Sequence, residues 1–98
     1  MAAGRLDDAA GLWQRVLDTS PDHPAALLHL GQHALYRKDP RKALALLERA
    51  GTISRDNPVI PLNIAFAHRA LGDSAGEMAA IHAALAIDPY YYPALLSK

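Results

Sequence analysis

The stretch Asp39–Ile53, DPRKALALLERAGTI, returns 34 positions later as Asp73–Ile87, DSAGEMAAIHAALAI. Asp39 pairs with Asp73, Leu47 with Ile81, Ala50 with Ala84 and Ile53 with Ile87. The same step carries the pattern outward. Gly4, Lys38 and Gly72 align, as do Trp13, Leu47 and Ile81, and Val16, Ala50 and Ala84. Thr19, Ile53 and Ile87 follow, then Pro21, Arg55 and Pro89, then Pro24 and Pro58. Leu28, Leu62 and Leu96 align, and so do Gly31 and Ala65. No insertion or deletion interrupts the register. A fixed period of this length is the mark of a repeat architecture.

Each period reads as two helices. Apolar residues recur at spacings of three and four, and no alternating run supports a strand. Asp39-Pro40 and Asn57-Pro58 mark helix starts, with His23-Pro24 a weaker case. The polar side chain caps free N–H groups, and proline sits where its missing N–H does no harm. Gly51 and Gly72 suit helix ends. The expected helices cover about 5–19, 24–37, 40–53, 58–71 and 74–87, with a stub from 90. The expected fold is all-α.

With 98 residues, the chain holds one small domain, without room for a doubly wound or barrel enzyme fold. Hydrophobic residues make up 51%, enough to bury a core. Ten basic and ten acidic residues give zero net charge, which argues against nucleic acid and against an anionic membrane surface as partners. The absence of cysteine excludes disulfides, thiolate catalysis and Cys-type zinc sites. Asp7 and Asp8 stand where a signal peptide needs an apolar stretch, and no run is long enough to span a membrane. A cytoplasmic location is the resulting expectation.

The period and its residues resemble the tetratricopeptide repeat. Gly4, Ala9, Trp13, Val16 and Pro21 look like the second half of such a repeat. Leu27, Leu30, Gly31, Ala43, Leu47 and Ala50 look like a complete one, and Pro61, Ile64, Ala65, Ile81, Ala84 and Pro89 like the next. The resemblance implies a right-handed superhelical α-α solenoid of stacked helix–turn–helix repeats over residues 1–98. It divides them into a half repeat at about 4–23, full repeats at about 24–57 and 58–91, and a partial helix at 92–98. Gly31 and Ala65 let paired helices approach, with Ala9, Ala43, Ala50 and Ala84 opposite. Trp13, Leu47 and Ile81 fill the space between them. Stacking is then obligatory, because no single repeat hides its apolar face alone.

Glu77 departs from Ala9 and Ala43 at its position, and His68 departs from Ala34. Antiparallel helices pair residues of roughly constant index sum, so His68 and Glu77 are candidates for a hydrogen-bonded pair. The alternative is a Glu77 that turns outward and closes a capping box with Ser74.

A narrower resemblance lies in Leu30–Arg37 (LGQHALYR) and Ala67–Ser97 (AHRALGDSAGEMAAIHAALAIDPYYYPALLS). Both are similar to the helical N-terminal region of bacterial aspartyl/asparaginyl β-hydroxylases, chiefly through the Asp88–Pro93 run. There such repeats precede a 2-oxoglutarate and iron(II)-dependent catalytic domain. No matching iron-binding motif is present here, so no catalytic residue carries over. The chain starts in a second-helix register and stops a few residues into a first helix. It is therefore expected either to be cut from a longer protein, the preferred reading, or to bury its open ends as a homodimer.

No constellation calls for an enzyme, a cofactor or a metal. His29 and His33 share a helix face at metal-ligand spacing but lack a third ligand. Asp7 and Asp8 suit a helix start, and Ser20, Ser54, Ser74 and Ser97 fall at helix boundaries. Arg37, Lys38, Arg41 and Lys42 cluster at a turn without interleaved aromatics, as solvated charge does. Of Tyr90, Tyr91 and Tyr92, at least one must be exposed or packed on a neighbouring element.

The first helix of each repeat has more apolar positions than one buried face needs. Leu27, Leu30, Gly31 and Ala34 form the core stripe, which leaves Leu28, Gln32 and Leu35, flanked by Ala25, His29 and Tyr36. In the next such helix Val59, Leu62, Asn63, Phe66 and Arg69 are left over, and Leu96 repeats the pattern. The expected partner groove is therefore Ala25, Leu28, His29, Gln32, Leu35, Val59, Leu62, Asn63, Phe66, Arg69 and Leu96. In the family, that concave side binds extended or helical peptides. Leu28 and Val59 stand where a carboxylate clamp would need lysines, so that clamp is set aside, and the expected function is binding of a protein or peptide segment in a concave, mainly apolar groove. The competing reading is that Leu28 and Leu62 merely pack between successive helices.

Overall fold

A computed structural model of the chain describes residues 2–97. The outermost positions of the expected 1–98 domain, Met1 and Lys98, lie outside the described residues. Among the described residues six helices follow one another: α1 (Ala2–Thr19), α2 (Pro24–Tyr36), α3 (Pro40–Ile53), α4 (Val59–Ala70), α5 (Ser74–Ile87) and α6 (Tyr92–Ser97). Among the described residues there is no strand, and the chain is all-α. The helix ends keep the sequence period: α1, α3 and α5 stop at 19, 53 and 87, and α2 and α4 stop at 36 and 70.

The turns explain this regularity. Lys38 and Gly72 both have positive φ, 61° and 76°. At the end of α2, the Lys38 N–H donates to the Leu35 carbonyl and the Asp39 N–H to the Ala34 carbonyl. At the end of α4, Gly72 donates to Arg69 and Asp73 to His68 in the same way. This is the paired 5→2 and 6→1 closure of a helix end, which needs one left-handed residue. The next residue then starts the following helix. Asp39 accepts from the Lys42 N–H at 3.3 Å and Asp73 from the Gly76 N–H at 2.9 Å. One aspartate thus closes one helix and caps the next.

Several expected boundaries shift: α1 begins at Ala2 instead of about residue 5, and α6 at Tyr92 instead of 90. Pro58 is the N-cap of α4 and not its first residue, while Asn57 Oδ1 accepts from the Val59 N–H at 3.0 Å. Gly51 lies inside α3, two residues before its end, because the Ser54 N–H still bonds to Ala50 and carries the last turn onward. At α2, His23 Nδ1 does cap, accepting from the Ala26 N–H at 3.2 Å.

Each helix packs on the next in sequence, and α2 also touches α4. Three apolar clusters fill the junctions. Leu17 of α1, Ala26, Leu27 and Leu30 of α2, Ala50 of α3 and Ile60 of α4 form the first. Ala34, Ala43, Leu47 and Ala67 join α2, α3 and α4 in the second. Leu62, Ala65, Ala80, Ile81, Ala84 and Ala94 join α4, α5 and α6 in the third. Ile64 packs against all three. Leu27, Leu47, Ile60 and Ile81 are fully buried, and each stabilises by about 1.5–3 kcal/mol. Packing is tight where α2 meets α3 at Gly31: a Cβ there would lie 2.6 Å from Leu47 Cγ. The expected Gly31–Leu47 fit is therefore real, and it leaves no room for a methyl group.

Candidate partner-binding surface

The residues expected to line a groove divide into three kinds. Leu62 and Asn63 are buried, at 5% and 7% exposure. Leu62 belongs to the third cluster, so it packs between helices and does not face a ligand. Asn63 can be buried because its amide Nδ2 donates to the Val59 carbonyl at 2.8 Å within its own helix. Both are corrected from groove to core. Leu28 and Leu35 are half-buried: Leu28 packs against the first and second clusters, and Leu35 against the second. Ala25, Gln32 and Val59 are also half-buried.

The exposed members are His29, Phe66, Arg69 and Leu96. Phe66 keeps 37% of its surface in water, and the Arg69 guanidinium stands 6.0 Å from its ring centroid. Arg69 is held there, because its Nε also donates to Glu77 Oε2. This places a cation, tethered by a carboxylate, over an aromatic face on α4. The His29 ring lies nearly parallel to Trp13, with centroids 4.7 Å apart and planes at 8°.

The Arg69 tether also settles the two departures from the repeat pattern. Glu77 pairs with Arg69 and not with His68, and its carboxylate is not the cap of α5, since Asp73 fills that role. His68 lies over Gly76, where a Cβ would meet its Nδ1 at 2.7 Å. Its Nδ1 is 3.2 Å from Asp73 Oδ2, close enough for an ion pair, without the alignment of a hydrogen bond. The missing Cβ of Gly76 lets the imidazole settle towards the start of α5, and Glu77 takes the neighbouring arginine.

Sequence patterning missed a cleft between α1 and α2. It is lined by Ala9, Ala10, Trp13, His29, Gln32 and His33 and encloses about 100 Å³. A wider hollow of about 290 Å³ adjoins it along Ala9, Leu12, Trp13 and Val16. Trp13 aligns with the fully buried Leu47 and Ile81, yet it is only half-buried. The alignment identified its face correctly but not the extent of its cover. Among the described residues, no three His, Asp or Glu side chains gather as a metal site would require. The four basic residues around the α2–α3 turn are exposed. Tyr90 is 87% exposed, while Tyr91 packs against the third cluster. No helix of the described residues is long and apolar enough to cross a membrane. No family model matches the chain, and no curated protein matches it.

Proposed function

We propose that the chain is a non-enzymatic binding module of tetratricopeptide type. In this reading, its helices stack as a right-handed solenoid, and the α2–α4 side takes up a protein or peptide segment. Helix ends that recur at 19, 53 and 87 support the solenoid. The observation that carries the binding reading is Phe66, an aromatic side chain left partly in water on α4 with Arg69 poised over its ring. Aromatic and arginine side chains are the residue types that dominate binding energy at protein interfaces. Half-buried Leu28 and Leu35 extend the apolar surface along α2, and Gln32 adds a hydrogen-bonding group. The ligand would lay apolar side chains beside Phe66 and present a carbonyl or carboxylate to Arg69.

The test is selection of a displayed random-peptide library on the purified chain, followed by affinity measurement of the selected sequences. Peptides that share an apolar pattern, and that lose at least tenfold in affinity against Phe66→Ala, support the reading. Peptides that bind Phe66→Ala and Arg69→Ala equally well would refute it.

A second reading makes the chain the non-catalytic arm of an aspartyl/asparaginyl β-hydroxylase-like enzyme. It rests on the Asp88–Pro93 run, whose Tyr90 offers an exposed ring for a neighbouring domain. Sequencing the gene on either side of these residues tests it, since a catalytic domain must be encoded in the same frame.

A further inference from the structure

The α2–α3 turn carries four cations within six residues: Arg37, Lys38, Arg41 and Lys42. All four are exposed. The turn itself does not need them. The α4–α5 turn has the same backbone closure and the same aspartate cap, with Leu71, Gly72, Ala75 and Gly76 at these positions. One period earlier the sequence has Ala3, Gly4, Asp7 and Asp8 there. The basic quartet is therefore a property of one turn and not of the repeat.

Three of the four stand where local structure disfavours them. Lys38 holds the left-handed conformation, φ 61°, that Gly72 adopts freely. Arg41 and Lys42 are the second and third residues of α3, where a cation opposes the positive end of the helix dipole. No acidic residue lies in that first turn to offset them. Arg37 does suit its place, at the C-terminal end of α2.

The fold does not neutralise the patch either. Ala34, Ala43 and Ala67 share a cluster, which sets this turn beside the C-terminal end of α4. The carboxylates of Asp39, Asp73 and Glu77 at this end are engaged otherwise. Asp39 caps α3, Asp73 caps α5 and faces His68, and Glu77 holds Arg69. Among the described residues, no carboxylate forms an ion pair with Arg37, Lys38, Arg41 or Lys42. Like charges kept against local preference, with no internal counter-charge, fit an external anion.

We infer that the α2–α3 turn is a docking site for an acidic segment of a partner polypeptide. Arg37 and Arg41 supply planar guanidinium groups that take carboxylates two bonds at a time, and Lys38 and Lys42 add point charge. The patch is confined to one turn of a chain with zero net charge. That extent suits a few side-chain carboxylates, whereas a nucleic acid strand needs a longer basic track with stacking aromatics. The site does not involve Phe66 and stands apart from the α2–α4 surface.

Fluorescein-labelled octaglutamate is the probe, with labelled octalysine and a labelled oligothymidylate of the same charge as octaglutamate for comparison. Fluorescence anisotropy is expected to rise saturably with octaglutamate and not with octalysine. The affinity falls as salt is raised, since exposed charges are screened. Arg41→Glu/Lys42→Glu is expected to weaken binding at least tenfold. Its new carboxylates suit the start of α3, so it melts no lower than the parent chain. Arg41→Gln/Lys42→Gln, expected to weaken binding at least threefold, replaces it if the charge reversal disturbs the fold. Lys38→Gly separates binding from folding: it relieves the backbone and raises the melting temperature while the affinity falls. Phe66→Ala binds octaglutamate as the parent does. Four outcomes overturn the proposal. The first is no saturable rise up to millimolar protein. The second is an affinity unchanged in a folded double variant or in Lys38→Gly. The third is tighter binding of oligothymidylate than of octaglutamate, which assigns the patch to nucleic acid. The fourth is a loss in Phe66→Ala, which moves the probe to the α2–α4 surface.

Discussion

Lys38 and Gly72 occupy the same left-handed backbone conformation, φ 61° and 76°, at equivalent points of successive helical hairpins. Glycine adopts it freely, whereas an L side chain crowds its own carbonyl there at about 1–2 kcal/mol. Lys38 therefore stores strain that Gly72 does not. Lys38→Gly is expected to stabilise the chain by about 1 kcal/mol, and Gly72→Ala to destabilise it by a similar amount. Urea denaturation of the two variants checks this. A destabilised Lys38→Gly would mean that lysine contributes a contact beyond its backbone.

The crossing of α2 and α3 gives a prediction of opposite sign to helix propensity. Gly31→Ala should gain about 1 kcal/mol from propensity in an isolated helix. Here the new methyl lands 2.6 Å from Leu47 Cγ and 2.7 Å from Cδ2. Overpacking of this kind costs about 1–3 kcal/mol, so the variant is expected to lose stability. In a Leu47→Ala background the same change becomes neutral or favourable. A double-mutant cycle with a coupling below about 0.5 kcal/mol would contradict the contact.

The two aspartates that cap α3 and α5 should respond alike to truncation. Asp39→Ala and Asp73→Ala each remove an acceptor from a helix start and are expected to cost about 1 kcal/mol. Asparagine at either position restores most of the loss, since it caps equally well. Asp73 differs in having His68 Nδ1 at 3.2 Å, a pair whose side chains are 22% and 50% exposed. Such a contact adds less than about 1 kcal/mol. Thermal melts of the four variants separate the cap from the pair: both alanine variants lose a cap, Asp73→Ala loses the pair as well, and of the two asparagine variants only Asp73→Asn loses a carboxylate beside His68.

The helices and their period were legible because the signals are local. Proline after a polar cap and an aspartate after a left-handed turn recur at fixed spacing, and each acts within a few residues of itself. The site was less legible because exposure depends on neighbours far along the chain. Leu28 and Leu62 align, yet Leu62 has α5 and α6 residues packed around it, and Leu28 is only partly covered. Asn63 has the composition of a groove residue, but a bond to its own helix makes it a core residue. The index-sum argument was off by a single position. It brought residue 77 to α4 correctly, but Arg69 took the carboxylate while Gly76 drew His68 aside.

The contrast between Leu62 and Phe66 distinguishes a folding defect from a binding defect. The two are one helical turn apart on α4 and both belonged to the expected groove, but their burial differs, at 5% and 37% exposure. Leu62→Asp places a carboxylate among Ala65, Ile81 and Ala84 with no partner, which costs several kcal/mol and should unfold the α4–α6 part of the chain. Phe66→Asp removes a partly hydrated ring and leaves a carboxylate near Arg69, so the fold should survive with a loss under about 1 kcal/mol. Circular dichroism and hydrogen exchange at 25 °C measure both. A cooperatively folded Leu62→Asp would mean that α5 and α6 do not pack on α4 as described. An unfolded Phe66→Asp would make the aromatic ring structural and take away the residue on which the binding reading depends.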